Sequence, residues 1–587
     1  MKPSIAAASQ QRMAAQRRFR ALQRLTIVST LAIAASAYVY CFTGALAQPS
    51  KDELASACVG LTGRTTAAAE IALPTRGATI NSAEIAKLAL PAGAGEPAEY
   101  CKVMAAIAPV DPNAYPINVE INLPLAWNGR AVQYGGGGFN GVLITGLAPL
   151  RDQPLDLPPP VGRGFMTFGT DSGHLAKDLP EIQAFTLNDE ALENFAYAAY
   201  KKTHDLAVVV ATAFYHRPPE RMYYFGGSEG GREGLVMAQR FPADYDGIVS
   251  VVPVINWTAL QAAGNRSGIM QQNGGWLSPA KVKLLHNAVL AACDGDDGLV
   301  DGIISNYSAC AAKFDPDKLR CPDGNDGDAC LSEAQVKAVK TLHQPYQFGF
   351  ALANGVHSYP AWNYGGEANP DAMVAWVMGP KPAQYPLPAP QEQGRQWYYG
   401  SGAIRYFVAR DSKFNSLNFK PDDFRQRVLE ISALMDATDP DLSRFAARGG
   451  KLIIKENAAD FAQSPNAGID YYKSVVATVG DASVDRFMRL YVTAGVNHAG
   501  IGATNEGAPV PYAVDLLGVL EAWVERAHAP GTLVQIAQTA AAPFNTIATR
   551  PMCLYPAYPH FKRGSGSQDG SFDCAAKEGP VRAMQQR

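Results

Sequence analysis

Apolar residues gather in short runs rich in β-formers: Arg130–Tyr134, Gly164–Gly169, Arg221–Phe225, Gly247–Val252, Lys451–Lys455 and Phe487–Thr493. Such runs predict strands, and some are followed by glycine-rich turns. Between some of them the period changes. In Leu192–Tyr215, the residues Phe195, Ala199, Leu206, Val209 and Phe214 recur at helical intervals. Strands alternating with helices predict an α/β fold whose mostly parallel sheet is covered on both faces. The pattern lapses between Trp257 and Gly449, which holds four cysteines, an Asp/Gly-rich segment and Pro/aromatic stretches. That shift predicts a lid domain, 257–449, inserted between two parts of the core, 48–256 and 450–587.

The first residues follow another logic. Lys2, Arg12, Arg17, Arg18, Arg20 and Arg24 occur with no acid among them, ahead of an apolar run from Leu25 to Leu46. The run closes at Ala45-Leu46-Ala47, so residues 1–47 read as an export signal cut after Ala47. An uncleaved membrane anchor is the rival, because the run is long enough to span. Cleavage removes Cys41 and leaves eight cysteines, an even set suited to an oxidising, secreted or periplasmic setting. Eight cysteines allow 105 pairings, and sequence alone leaves the choice open. No pair has the C-x-x-C spacing of a zinc or redox site. A net charge of −3 gives no reason to expect a nucleic-acid partner, and signal cleavage would leave no membrane segment.

Chemistry enters at Gly226-Gly227-Ser228-Glu229-Gly230, a G-x-S-x-G string. The bare string is weak, but here it lies between an expected strand and a helix-like run, Gly231–Arg240. That context fits a nucleophile elbow, whose serine projects above the sheet from a tight turn. A base and an acid must then follow in chain order. His498 sits in a small-residue loop after the Phe487–Thr493 run; His528 ends a helical run, and His560 lies among prolines and aromatics. His498 is therefore the expected base. After the Lys451–Lys455 strand come Glu456, Asp460 and Asp470. Asp460, a loop's length beyond the strand, is preferred over Glu456 as the orienting acid. Gly135–Gly138 follows a strand and suits an oxyanion loop. The N–H of Glu229 and one near Gly136 or Gly137 are the expected donors. A nucleotide-binding loop competes, but no Walker lysine follows, and no organic cofactor is expected.

A second site is expected at Cys293–Ile303, where Asp294, Asp296, Asp297 and Asp301 crowd a glycine-containing loop. Hard cations favour such oxygen-rich loops. It is not an EF-hand, since the twelfth position from Asp294 is Ser305. A structural Ca²⁺ is preferred over a solvated acidic turn.

Taken together, these residues resemble the tannase/feruloyl esterase family of α/β-hydrolases. The resemblance is carried by Trp127–Arg130, Gly135–Gly138 with Phe139 and Gly141, Thr170–His174 and Tyr224–Arg232. It continues through Phe241–Ile248, Asp294–Ile303, Asp460, Ile469–Tyr472 and His498. It implies a Ser228–Asp460–His498 triad and a calcium site of Asp294, Asp297 and Asp301 carboxylates with Leu299 and Ile303 carbonyls. It also implies the disulfides Cys58–Cys101, Cys293–Cys310, Cys321–Cys330 and Cys553–Cys574. One departure stands out. The family usually bridges the nucleophile and histidine loops by two cysteines, and this chain has Gly227 and Ala499 there.

The expected reaction is hydrolysis of a small aromatic-acid ester, of gallate, ferulate or mono-hydroxyethyl terephthalate type, through an acyl-enzyme. In the lid, Arg395, Trp397 and Tyr399 are candidates for holding the acyl group. The rival readings are an amidase or peptidase on the same fold and a catalytically dead binding protein.

Overall fold

The computed structural model describes residues 50–93, 95–322 and 327–576. The expected export signal, residues 1–47, lies outside the described residues. Within them, no helix is long and apolar enough to cross a membrane.

Ten strands form the main sheet: β1 (Thr65–Thr66), β2 (Ala78–Leu88), β3 (Ala98–Ile107), β4 (Ile117–Pro124), β5 (Arg130–Tyr134), β6 (Met166–Thr170), β7 (Arg221–Gly227), β8 (Gly247–Val251), β9 (Lys451–Asn457) and β10 (Met488–Thr493). Their spatial order is β1-β2-β3-β4-β6-β5-β7-β8-β9-β10. From β6 onward every pairing is parallel. The first four strands are antiparallel, and β4 meets β6 antiparallel. All six expected strands are present, displaced by at most two residues at an end.

The β-runs are continuous because both faces of the parallel half are covered. Strands β6, β8 and β10 are buried at every position. Helix α1 (Ala199–Tyr215) and α2 (Glu229–Arg240) contribute to one cluster with β4, β6 and β7, and α3 (Leu516–Arg526) packs in the other with β5, β8 and β9. By contrast β2 alternates, with Ala78, Ile80 and Ala83 buried and exposed residues between them. It is a half-solvated antiparallel strand, so it lacks the continuous apolar run that marks the others.

Residues 257–449 enter after β8 and leave before β9, two strands that lie side by side. The insert is mostly helical and irregular. The described residues from Leu54 onward cluster as one compact unit. Insert residues Trp257, Trp362 and Phe407 pack in one cluster with Phe139 and Phe461 from the sheet's loops and Phe195 from the helical turn ahead of α1. Disulfides join Cys58–Cys101, Cys293–Cys310, Cys321–Cys330 and Cys553–Cys574, the four pairs implied by the resemblance.

Candidate active site

Strand β7 ends at Gly227 and helix α2 begins at Glu229, so Ser228 alone makes the turn. Its backbone is held at φ 58° and ψ −123°, a conformation costing a non-glycine residue roughly 1–3 kcal/mol. The turn is tight enough that its neighbours must be glycine. A Cβ on Gly226 would overlap the Gly230 carbonyl, and one on Gly230 would lie 2.6 Å from the Gly136 oxygen. The Ser228 N–H donates to the Val251 carbonyl at 2.9 Å, tying the elbow to β8.

The loop after β10 delivers His498, whose Nε2 lies 3.0 Å from Ser228 Oγ. Its Nδ1 lies 2.6 Å from Asp460 Oδ2. A carboxylate can only accept, so Nδ1 carries the proton and Nε2 is left free to take one from the serine. The other Asp460 oxygen accepts from the N–H groups of Ala462 at 2.7 Å and Gln463 at 3.1 Å. Asp460 is thereby fixed in the loop after β9 and is almost fully buried. Glu456, the competing acid, is buried in β9 with neither carboxyl oxygen partnered. Burial and the Asp460 charge push its pKa well above the usual carboxylate value.

The expected oxyanion glycines require a correction. Gly136 N–H donates to Glu233 Oε2 at 3.0 Å, and Gly137 N–H donates to Asn140 Oδ1 at 2.7 Å. Both are committed to holding their own loop. Among the described residues, Gly138 N–H and Glu229 N–H have no partner, and both residues line the cavity at Ser228. Gly138 has φ 60°, and a Cβ there would lie 3.2 Å from the Tyr399 hydroxyl. Which of the four glycines keeps a free N–H is decided by two side chains, Asn140 in the same loop and Glu233 far away in the chain.

Those side chains form the loop's support. Glu233, on α2, also accepts from Tyr224 OH and Asn140 Nδ2, at 2.7 and 2.8 Å. His174 is buried, stacks on Phe185 at 3.8 Å, and bonds the Phe139 carbonyl through Nε2 at 2.8 Å. Burial lowers its pKa to about 4, so the ring is neutral and Nε2–H donates to that carbonyl. Glu229 is buried against Arg232, with 2.6 Å from Nε to Oε1, and burial raises its pKa to about 7. Arg232 in turn donates to the carbonyls of Phe195, Ala196 and Met435, fastening α2 to the insert. The Glu-Gly-Gly-Arg-Glu run after Ser228 was thus visible in sequence, but its role needed the fold.

The cavity above Ser228 measures about 190 Å³, and the insert supplies much of its wall. Tyr399 lines it, stacked near Phe139 at 5.4 Å and Trp376 at 6.1 Å. Trp376, which the sequence did not single out, also meets the His498 ring edge-on at 5.4 Å. It sits in a π-helical turn, Val374–Met378, a distortion frequent at functional sites. Trp397, by contrast, does not reach the cavity. It is fully buried, turned toward Gly268 in the interior of the insert. Arg395 also lies outside the lining: it pairs with Asp371 at 2.6 Å and stacks on Trp376 at 5.0 Å. Gln396 and Gln463 line the cavity, and each has one buried amide atom with no partner, Oε1 and Nε2 respectively.

In the acidic loop, Asp294 and Asp297 are buried, and Asp301 sits beside them. Asp294 accepts from Asp301, Gly302 and Asn505; Asp297 accepts from Leu299 and Ser305; Asp301 accepts from Ile303 and pairs with Arg550. Burial, with the Asp301 charge adding to it, raises the pKa of Asp294 and takes Asp297 to about 6. Three mutually repelling carboxyls on one wrapped loop are a donor set that fits a hard cation. Among the described residues, the set of three ligand groups converging within 4.8 Å is another one, His204, Asp205 and Asp244. Lys201 already occupies that set, 2.8 Å from both carboxylates.

A strained serine on a strand-to-helix elbow, with acid and histidine on the loops after the later parallel strands β9 and β10, defines an α/β-hydrolase with a Ser-His-Asp constellation. Comparison with known proteins narrows the class. The model of the tannase and feruloyl esterase family matches residues 101–576, and the chain belongs to that family of carboxylic ester hydrolases. An uncharacterized esterase of Agrobacterium fabrum is 35% identical over 544 residues, covering 89% of this chain and 93% of the relative. The mono(2-hydroxyethyl) terephthalate hydrolase of Piscinibacter sakaiensis is 32% identical, covering 81% and 85%. The crystal structure of feruloyl esterase B from Aspergillus oryzae shares the fold, with a TM-score of 0.71 at 23% identity over 89% of this chain and all of that one.

Proposed function

We propose that this is an exported serine esterase that hydrolyses esters of small aromatic acids through an acyl-enzyme. The observation that carries the reading is the continuous line from Asp460 through His498 to Ser228 Oγ, at 2.6 and 3.0 Å. Ser228 attacks the ester carbonyl as His498 Nε2 takes its proton, and the tetrahedral oxyanion turns toward the Gly138 and Glu229 N–H groups. His498 then protonates the departing alcohol. Water, deprotonated by the same imidazole, attacks the acyl-enzyme, releases the aromatic acid and restores Ser228.

The cavity supports an aromatic acyl group. Phe139, Trp257, Trp376 and Tyr399 supply ring faces, and a space of about 190 Å³ suits a single ring rather than a long chain. No Lys or Arg occurs among the lining residues. A terephthalate monoester carries a second carboxylate; the cation bordering the cavity, Arg395 on Trp376, is already paired with Asp371. The free amide atoms of Gln396 and Gln463 suit phenolic hydroxyls, so gallate or ferulate esters fit better. The four disulfides and the basic-then-apolar segment before Gln48 support export. In the acidic loop, Asp294, Asp297 and Asp301 would hold a Ca²⁺, with the Leu299 and Ile303 carbonyls beside them; its part is to stiffen the insert.

Methyl gallate, methyl ferulate and mono(2-hydroxyethyl) terephthalate, each with its matched amide, test this reading on the purified chain. Turnover of the first two esters, with the amides and the terephthalate slower by about 100-fold or more in kcat/KM, is expected. Preference for an amide would overturn it, and preference for the terephthalate would overturn the choice of a phenolic acyl group.

A further inference from the structure

The nucleophile and the histidine must stay within hydrogen-bond reach, yet they sit on loops 270 residues apart in sequence. One side chain spans them. The Arg151 stem crosses the face of Gly227, so that a Cβ on Gly227 would overlap Arg151 Cδ and lie 2.9 Å from Nη1. Beyond that crossing, Arg151 Nη2 donates to the backbone carbonyl of His498. The guanidinium therefore rests on the residue before the nucleophile and grips the residue that carries the base.

Its own footing is fixed. The neighbouring Asp152 is buried at φ 61° and accepts from Lys455 Nζ at 2.6 Å. Lys455 also donates to Asn457 Oδ1 at 2.8 Å, and Asn457 Nδ2 donates to the Asn497 carbonyl at 2.8 Å. A buried polar chain thus runs from the 151–152 turn through β9 to the residue before His498. The Asp152 carbonyl also accepts from Val514 N–H at 2.8 Å. Arg151 is consequently presented from a turn that cannot swing independently of the histidine loop.

We propose that Arg151 is a positioning residue for the Ser228–His498 pair, acting as a non-covalent clamp in the space that Gly227 leaves empty. The proposal rests on the serine-esterase reading and deepens it. Gly227 is then required for a reason separate from the elbow: any side chain there displaces the clamp. The clamp also accounts for how two loops without cysteines at 227 and 499 hold register. A guanidinium suits this task, because its planar donors reach a carbonyl while its stem packs on backbone.

The test uses the full chain and a chromogenic aromatic ester, with variants Arg151→Met, Arg151→Ala and the double substitution Gly227→Cys/Ala499→Cys in the Arg151→Ala background. Arg151→Met keeps the stem and removes the donors, so it reports even where Arg151→Ala folds poorly. The expected result is a kcat loss of about 30-fold or more in both single variants, KM within about 2-fold, and an equal loss in the rate of fluorophosphonate labelling of Ser228. Oxidised, the cysteine pair restores kcat to within about 5-fold of the parent, and a mild reductant that leaves the parent's kcat intact removes that gain. Single variants that retain parental kcat and labelling rate while only melting earlier would overturn the clamp. So would a loss of kcat that the oxidised pair fails to restore. Failure of the underlying reading is distinguishable, because Ser228→Ala would then retain turnover whatever stands at 151.

Discussion

The parallel half of the sheet and the 257–449 insert meet over Ser228, and they are built on opposite principles. In the sheet, each reactive group stands at the C-terminal end of a parallel strand: Ser228 after β7, Asp460 after β9, His498 after β10. Position follows from strand register, and the pairing of β9 with both β8 and β10 fixes the loops that follow. The insert has little such register. Its cavity residues come from π-helical turns, short helices and coil, such as Trp376 in Val374–Met378 and Tyr399 in Arg395–Ala403. The difference teaches a division of labour. On the proposed mechanism, the sheet would hold the geometry on which kcat depends, and the insert would shape the surface that chooses the acyl group.

Substitutions can break that division or sharpen it. The largest effect is expected at Asp460→Asn, which removes the acceptor that sets the His498 tautomer. Steady-state assays should show kcat lower by about 1,000-fold or more with KM little changed. The matched substitution Glu456→Gln should leave kcat within about 3-fold, because His498 Nδ1 is engaged by Asp460 and burial already favours the neutral form of the Glu456 carboxyl. If Glu456→Gln proves the costlier of the two, the acid has been misassigned.

Next comes Gly138→Ala. It forces a side chain onto a backbone at φ 60° and toward the Tyr399 hydroxyl. Loss of one oxyanion donor predicts a kcat drop of about 100-fold, measured with a good leaving group so that acylation is not limiting. Gly137→Ala, with open space around its Cβ, should cost far less, and equal losses would return the oxyanion role to the loop as a whole. On the insert side, Gln463→Leu should raise KM for a phenolic ester by about 10-fold while kcat stays within about 3-fold. An unhydroxylated benzoate ester should be indifferent to it. The smallest effect belongs to the acidic loop. Chelating Ca²⁺, or Asp297→Asn, should lower the melting temperature by about 3 °C and leave the initial rate at 25 °C unchanged.

The same division explains what could be read from sequence. The six strands of the parallel half were legible because burial on both faces turns a strand into an unbroken apolar run. Ser228, Asp460 and His498, which the fold brings within hydrogen-bond reach, were picked out by chain order and by loops after strands. The antiparallel β1–β4 were not singled out: the half-solvated Ala78–Leu88 lacks a continuous apolar run, and the largely buried β4 has Asn118, Glu120 and Asn122 among its apolar residues. In the insert, spacing misled: Arg395, Trp397 and Tyr399 look equivalent in sequence, yet on the helix Trp397 faces inward and Tyr399 faces the cavity. Trp376 and Arg151 left no sequence signal, because each matters only through a contact made across the fold.

The central claim is that Ser228 is the covalent nucleophile, activated by His498. Fluorophosphonate treatment of the intact chain, followed by peptide mass spectrometry, tests it most directly. One adduct per chain on Ser228 is expected, formed in step with loss of ester hydrolysis and absent after His498→Ala. An unmodified Ser228 in a chain that still hydrolyses the ester, or an adduct on another residue that tracks the lost activity, would contradict it.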